Sequence, residues 1–366
     1  LSWRGRQPPG GMRGLRLWVR DEVPPGIPAD PELLEGVILP GGEWVGRYHL
    51  RPTRRGDYAF GATYLRVETP LGLLIHQHSF PLSAPVRVYP NLRAVRRYDL
   101  LARRGRLQEA GLRHARLFGM GTEFERLRDY QPDDDFRRVA WKATARRHRP
   151  VTVDYETERS QNLVLALDAG RLMGTPIGAM QKLDYAVNAA LMLAYVATRL
   201  GDRTGLLAFG DRVELYVPPG RGRRQFHLLL QSLYKVSVQP VESAPGRALA
   251  YLAARQPRRS LIVLFTDLEE ATEAEALVGH LGVLARHHLP LCVTIADPGL
   301  MRVAAALPAD SRQAYEKVVA QRLLDERRAV LERLERRGVL ALDLPAERVT
   351  AAVINRYLEV KAHARL

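Results

Sequence analysis

The sequence predicts an α/β chain, a doubly wound and mostly parallel sheet preceded by a small antiparallel β-sandwich-like domain. Three observations carry this. From Leu163 onward, short apolar runs alternate with amphipathic helical stretches, the pattern of a sheet covered on both faces. Before residue 90, β-branched and aromatic residues stand at strand spacing between Gly and Pro. Two apolar runs, NLVLALD and SLIVLFTD, end in an acid, at Asp168 and Asp267.

Residues 1–90 are read as the β-sandwich-like domain. Strands are expected at Leu15–Arg20, Trp44–Arg51, Gly56–Phe60, Tyr64–Glu68 and Val86–Tyr89, with the turn-rich DEVPPGIP between the first two. His76 and His78 stand two apart, on one face of a strand if that segment is extended. Residues 91–160 form a charged connector, basic and helical in its first part. Residues 161–366 hold the α/β domain. Its strands are expected at Leu163–Leu167, Arg203–Phe209, Val213–Val217, Leu261–Thr266, Leu289–Ile295 and Val339–Leu342. Its helices are expected at Lys182–Leu200, Arg223–Tyr234, Gly246–Arg255, Glu273–Arg286, Arg312–Arg336 and Ala346–Ala364. The strands around Gly210-Asp211-Arg212 read as a hairpin, which puts one antiparallel strand into the sheet.

A chain of 366 residues with 46% hydrophobic residues is globular and has room for a sizeable core. The net charge is +15, and +11 of it falls in residues 1–150. Such a surplus suits either a polyanionic partner or plain solubility. No nucleic-acid module signature accompanies it, so no specific nucleic acid is expected. The single cysteine, Cys292, excludes a disulfide framework and a cysteine-based metal site. The most apolar stretch, Tyr185–Leu200, is short and contains Asn188, so it reads as a buried helix rather than a membrane span.

Two clusters carry the chemistry. The first lies within Arg128–Arg149, where Asp134, Asp135, Arg137, Trp141, Lys142 and Arg146 crowd together. Such a run is too charged for ordinary core. It is either a docking surface, for which Trp and Arg are common anchors, or an internally salt-bridged turn. The second cluster is Asp168 with Asp267. Ligands of doubly wound sheets bind beyond the carboxyl ends of the strands, where both acids fall. Two hard oxygen ligands there would suit Mg²⁺. Neither a Gly-x-Ser-x-Gly elbow nor a Walker loop is present, and no enzyme is expected.

The element order from residue 161 resembles a von Willebrand factor A-like domain. In that family a metal is held by an Asp-x-Ser-x-Ser loop, a Thr from a second loop and an Asp from a third. The resemblance assigns Asp168 to the first loop, Ser243 to the second and Asp267 to the third. It also marks the site as degenerate, because Gly170 and Leu172 stand where the serines belong and Arg171 adds a cation. The segments YQPDDDFRRVAWKATAR, LALDAGRLM, KLDYA, GDRTGLLAFGDRV, RRSLIVLFTDL and NRYLEVKA, with DEVPPG and TRRGDY in the front part, are similar to the bacterial domain of unknown function 58 family. Asp133 departs from it, standing where that family usually has Gly.

That resemblance implies a non-enzymatic adaptor that partners a MoxR-type AAA+ ATPase and acts on client proteins. It implies a bacterial cytoplasmic location, tethered to the inner membrane by a segment upstream of Leu1. Two alternatives stay open. One is a Mg-dependent enzyme using the strand-end carboxylates. The other is a polyanion-binding module.

Overall fold

A computed structural model describes residues 2–4, 14–39, 41–52, 54–69, 71–90, 124–130, 139–147, 149–155, 161–268 and 271–362. The chain forms two compact units, Leu1–Pro90 and Asn91–Leu366.

The front unit is built on an antiparallel sheet of β1 (Leu15–Asp21), β2 (Leu34–Ile38), β3 (Thr63–Glu68) and β4 (Ile75–Phe80), in the order β2-β1-β3-β4. Side chains alternate as a pleated strand requires. Leu17 and Val19 enter a small core with Leu34, Ile38 and Leu65, while Arg16 and Arg20 face out. Short two-stranded ladders complete the unit, among them Gly56–Phe60 with Ala84–Val88. The acids of DEVPPG anchor it. Asp21 accepts from Tyr48 Oη (2.6 Å) and Thr63 Oγ1 (2.5 Å), and Glu22 from the Ala62 amide (3.0 Å). The strands at Leu34–Ile38 and Ile75–Phe80 are absent from the sequence-based assignment. His76 and His78 are exposed on β4, and the described residues offer no group of three or more His, Cys, Asp or Glu to hold a metal.

In the second unit, β5 (Phe124–Asp129) pairs antiparallel with β6 (Val151–Tyr155), and helix α1 (Trp141–Arg147) lies between them in sequence. No strand was expected at β5 or β6 from the sequence. The main sheet has six strands: β7 (Asn162–Asp168), β8 (Arg203–Phe209), β9 (Val213–Gly220), β10 (Leu261–Phe265), β11 (Leu289–Ala296) and β12 (Leu340–Pro345). Their order is β9-β8-β7-β10-β11-β12, and only β9 is antiparallel, through the hairpin with β8. The architecture is that of a von Willebrand factor A-like domain.

The central strand explains the layering. In β7, Leu163, Leu165 and Leu167 face one core and Val164 and Ala166 the other. The first core is closed by α2 (Lys182–Arg199), α3 (Gly222–Lys235) and α8 (Ala346–Ala362). The second is closed by α4 (Pro245–Arg255), α5 (Ala271–Leu284) and α7 (Ser311–Arg336). Helix α2 is buried along almost its whole length, which accounts for its apolar sequence. Among the described residues no helix is long and apolar enough to cross a membrane.

A buried acid clamps the last helix to this frame. Asp202 accepts from Tyr357 Oη, Lys361 Nζ (2.8 Å) and the Gln161 amide (3.0 Å). Tyr357 and Lys361 both belong to NRYLEVKA, so that motif docks α8. Besides α1, one more helix, α6 (Pro298–Ala305), was not expected from the periodicity. Its start was nonetheless readable: Asp297 accepts from the Gly299 amide (2.6 Å) and Pro298 opens the first turn.

Cys292 sits in β11 facing the second core, and burial pushes its thiol up to about 12. A thiol so protonated and enclosed is inert. Ellman's reagent should therefore label none of the native protein within minutes, and one equivalent once it is unfolded. Rapid native labelling would show that β11 is not enclosed.

Candidate functional site

The chain runs from β7 out to β8 on one side and returns to β10 on the other. The switch in direction opens a crevice beyond the carboxyl ends of β7 and β10. Asp168 closes β7, and Thr266 and Asp267 follow β10 directly. The turn before α4 brings Ser243 to the same place. The three residues assigned from the sequence, Asp168, Ser243 and Asp267, therefore line one cavity.

Asp168 is spent on local structure. It accepts from Ser243 Oγ in a very short bond, from Thr266 Oγ1 (2.7 Å) and from the Gly170 amide (2.8 Å). The Gly170 contact caps the loop after β7. Gly170 itself has a steric cause. A Cβ there would lie 2.1 Å from Ser243 Oγ, so a serine at 170 and the Ser243–Asp168 bond are mutually exclusive.

Asp267 is spent on cations. Lys182 Nζ, at the start of α2, donates to one oxygen in a very short bond. Arg327, on α7, donates from Nη1 to the other at 2.8 Å, and the Leu268 amide joins it at 2.8 Å. Arg327 also grips Asp343 through Nε (3.1 Å) and Nη2 (2.9 Å), and donates to the Ile295 carbonyl (3.2 Å). Thr294 Oγ1 completes Asp343 at 2.8 Å. The Lys182 and Asp267 side chains are each 1% exposed. Three carboxylates thus meet two cations beneath the crevice.

The two aspartates are driven apart in acidity. Burial raises Asp168 above the ordinary carboxylate range, overcoming its three hydrogen bonds, and the nearby Asp267 charge adds to the rise. Burial also works on Asp267, but there Arg327 and Lys182 prevail and hold it below its ordinary value.

This arrangement does not fit a divalent ion. Lys182 already occupies the Asp267 oxygen that would coordinate, and Arg327 the other. The cavity is only about 20 Å³, roughly one water, whereas Mg²⁺ keeps several. Where the sequence suggested a degenerate site, the structure holds an internal ion cluster, in which Lys182 and Arg327 supply the positive charge.

Neither cation was assigned a role from the sequence. Lys182 lay in the quoted KLDYA segment with no partner visible. Arg327 looks like its neighbour Arg328, which is solvated. One signal existed: Arg327 falls on the apolar seam of α7, in step with Val330 and Leu334.

The other cluster is only partly visible. Asp134, Asp135 and Arg137 lie outside the described residues. Trp141 is 60% exposed on α1, and Arg146 is exposed on the same helix, which also carries Lys142. At its base Arg149 pairs with Asp129 at 3.1 Å, and Thr144 Oγ1 accepts from the Val151 amide (3.1 Å).

The fold and cluster define a von Willebrand factor A-like domain with two protein-borne cations beneath its crevice. Residues 126–335 match the family described as protein of unknown function DUF58, and the chain belongs to that family. An uncharacterized protein of Mycobacterium tuberculosis is 28% identical over 182 residues, 49% of this chain and 56% of the relative. The uncharacterized protein YeaD of Bacillus subtilis is 25% identical over 229 residues, 60% of this chain and 54% of the relative. The chain thus spans about half the length of the curated relatives it matches. Among solved structures, BatB from Bacteroides thetaiotaomicron aligns with a TM-score of 0.39 at 13% identity, covering 56% of this chain and 100% of that one. An aerotolerance-related membrane protein from Bacteroides fragilis aligns with a TM-score of 0.37 at 13% identity, covering 55% and 99%.

The opposed shifts make Asp168→Asn and Asp267→Asn behave differently. The folded state keeps the Asp168 proton above pH 3.8, where the unfolded chain has lost it. Stability from this group therefore falls as pH rises through that window, and Asp168→Asn should match or exceed wild type at neutral pH. Asp267 contributes above its ordinary pKa and loses that contribution as pH falls through its lowered one. Asp267→Asn should cost about 3–5 kcal/mol at neutral pH by leaving Lys182 and Arg327 underpaired. Urea unfolding at pH 5 and 7.5 measures both. Equal losses in the two variants would contradict the assignment.

Proposed function

We propose that this chain is a non-enzymatic protein-interaction adaptor that partners a MoxR-type AAA+ ATPase, on the cytoplasmic side of the bacterial inner membrane. One observation supports the non-enzymatic part above others. The acids at the carboxyl end of the sheet, where this fold class does its ligand chemistry, are consumed by Lys182, Arg327, Ser243 and Thr266. A site so neutralised offers neither a metal-activated water nor a charged nucleophile. What it offers is a rigid, preformed floor, which suits recognition better than turnover.

The ATPase partner follows from the family resemblance. The docking surface is assigned to the α1 region, where Trp141 and Arg146 are exposed and Lys142 shares the helix. An exposed Trp beside cations is a common interface anchor. The nearby acidic run, with Asp134, Asp135 and Arg137, extends the surface in sequence.

Calorimetry with the purified MoxR-type ATPase of the same organism tests this. Wild type should bind, and Trp141→Ala and Arg146→Ala should each weaken binding about tenfold or more, a hot-spot loss. Both should melt within a degree or two of wild type, as exposed positions do. No binding by wild type would remove the partner, and unchanged binding by both variants would remove the surface. Separately, Mg²⁺ titration should give no heat of tight binding. Micromolar affinity that Asp168→Ala abolishes would restore the metal-enzyme alternative.

A further inference from the structure

Helix α7 runs 26 residues, and its apolar seam has two fates. Toward its C-terminus, Val330 and Leu334 are buried in the second core with Val278 and Leu281. Toward its N-terminus Ala320 is still buried, and beside it a stripe of Tyr315, Val319 and Leu323, one every four residues, is exposed, Val319 at 38% and Leu323 at 40%. Tyr315 is 72% exposed and the adjoining Val318 is 62% exposed. Helix α6 packs on another side of α7, where Lys317 Nζ donates to the Ala306 carbonyl (2.9 Å). It buries none of its own residues and leaves Met301 exposed. An apolar stripe of this length on a solvated helix calls for a partner.

The charges beside the stripe indicate which one. In chain order the residues are Arg312, Tyr315, Glu316, Val319, Arg322, Leu323 and Glu326. Read backwards, the series keeps its apolar positions and exchanges every sign. Two such helices laid antiparallel about a twofold axis at Val319 place Arg312 opposite Glu326, Tyr315 opposite Leu323 and Glu316 opposite Arg322. An isologous twofold contact demands this self-complementarity. All four charged side chains are solvated. They already pair within the helix, Arg312 with Glu316 (2.9 Å) and Arg322 with Glu326 (2.8 Å), so they are held beside the stripe in position to bridge outward.

We propose that residues 312–326 of α7 form an antiparallel contact with the same segment of a second copy of this chain. The occupant is a second copy because the pattern complements itself, with no excess of either sign for a strongly acidic or basic partner. The contact is independent of the ATPase reading and uses a different helix.

Sedimentation velocity of the full chain over a wide concentration range tests it. A reversible dimer is expected. Val319→Arg should be monomeric throughout, with an unchanged circular dichroism spectrum and melting temperature. The charge pattern supplies the decisive arm. Glu316→Arg and Arg322→Glu should each weaken the dimer about tenfold or more by setting like charges opposite each other. The double variant should restore it, although its pairs within the helix remain broken. Val319→Cys should cross-link to itself on mild oxidation, the native Cys292 being buried. Gln313→Cys, off the stripe, should not. A chain that stays monomeric at every concentration overturns the proposal. So does a dimer indifferent to the charge reversals, or a Val319 surface that binds a different protein while the chain alone stays monomeric.

Discussion

The ion pair between Lys182 and Asp267, braced by Arg327, is the constraint around which the α/β unit is arranged. A doubly wound sheet concentrates strand-end carboxylates at its switch point, and an uncompensated buried carboxylate costs several kcal/mol. Positive charge must come from somewhere. Here α2 delivers an ammonium and α7 a guanidinium, from opposite faces of the sheet. The cluster thereby ties both helical layers to the sheet at one point. Lys182 opens α2, where the helix dipole disfavours a cation, so its placement makes sense only with Asp267 as partner.

The same constraint explains a run of local choices. Ser243 bonds Asp168, and that bond occupies the space a side chain at 170 would need, so glycine stands there. Asp168, bonded to hydroxyls and an amide, is raised in pKa by burial, with the nearby Asp267 charge adding to the rise. Arg327 then satisfies Asp343 and the Ile295 carbonyl with its remaining donors, so the guanidinium is buried with its polar edges bonded. Loss of the serines in the first loop and the presence of Lys182 are two aspects of one solution.

The front unit rests on a smaller core, and hydrogen bonds carry more of its order. Asp21 joins Tyr48 and Thr63 across three segments, and Glu22 holds the Ala62 amide. The basic surplus of the first 150 residues lies mostly beyond this unit, in residues 91–150. Its DEVPPG segment is explained as scaffold rather than binding surface.

Local pattern by itself determined most of the secondary structure. The six strands of the main sheet and six of its helices follow from periods of two and 3.6 residues, which are properties of neighbouring positions. The hairpin at Gly210-Asp211-Arg212 was legible for the same reason, and the meeting of Asp168 with Asp267 followed once topology placed strand ends at a crevice, whereas Ser243 was assigned only through the family resemblance. The short strand Leu34–Ile38 was not legible, because Gly and Glu interrupt its pattern. The ownership of the charges was decided only by tertiary structure. Lys182 meets Asp267 across 85 residues and Arg327 meets it across 60. The helical period sets Arg327, on the seam of α7, apart from Arg328, but it does not say which acid the buried guanidinium meets. Charge pairing depends on distance in space and on the loss of water, and both exist only after the layers close.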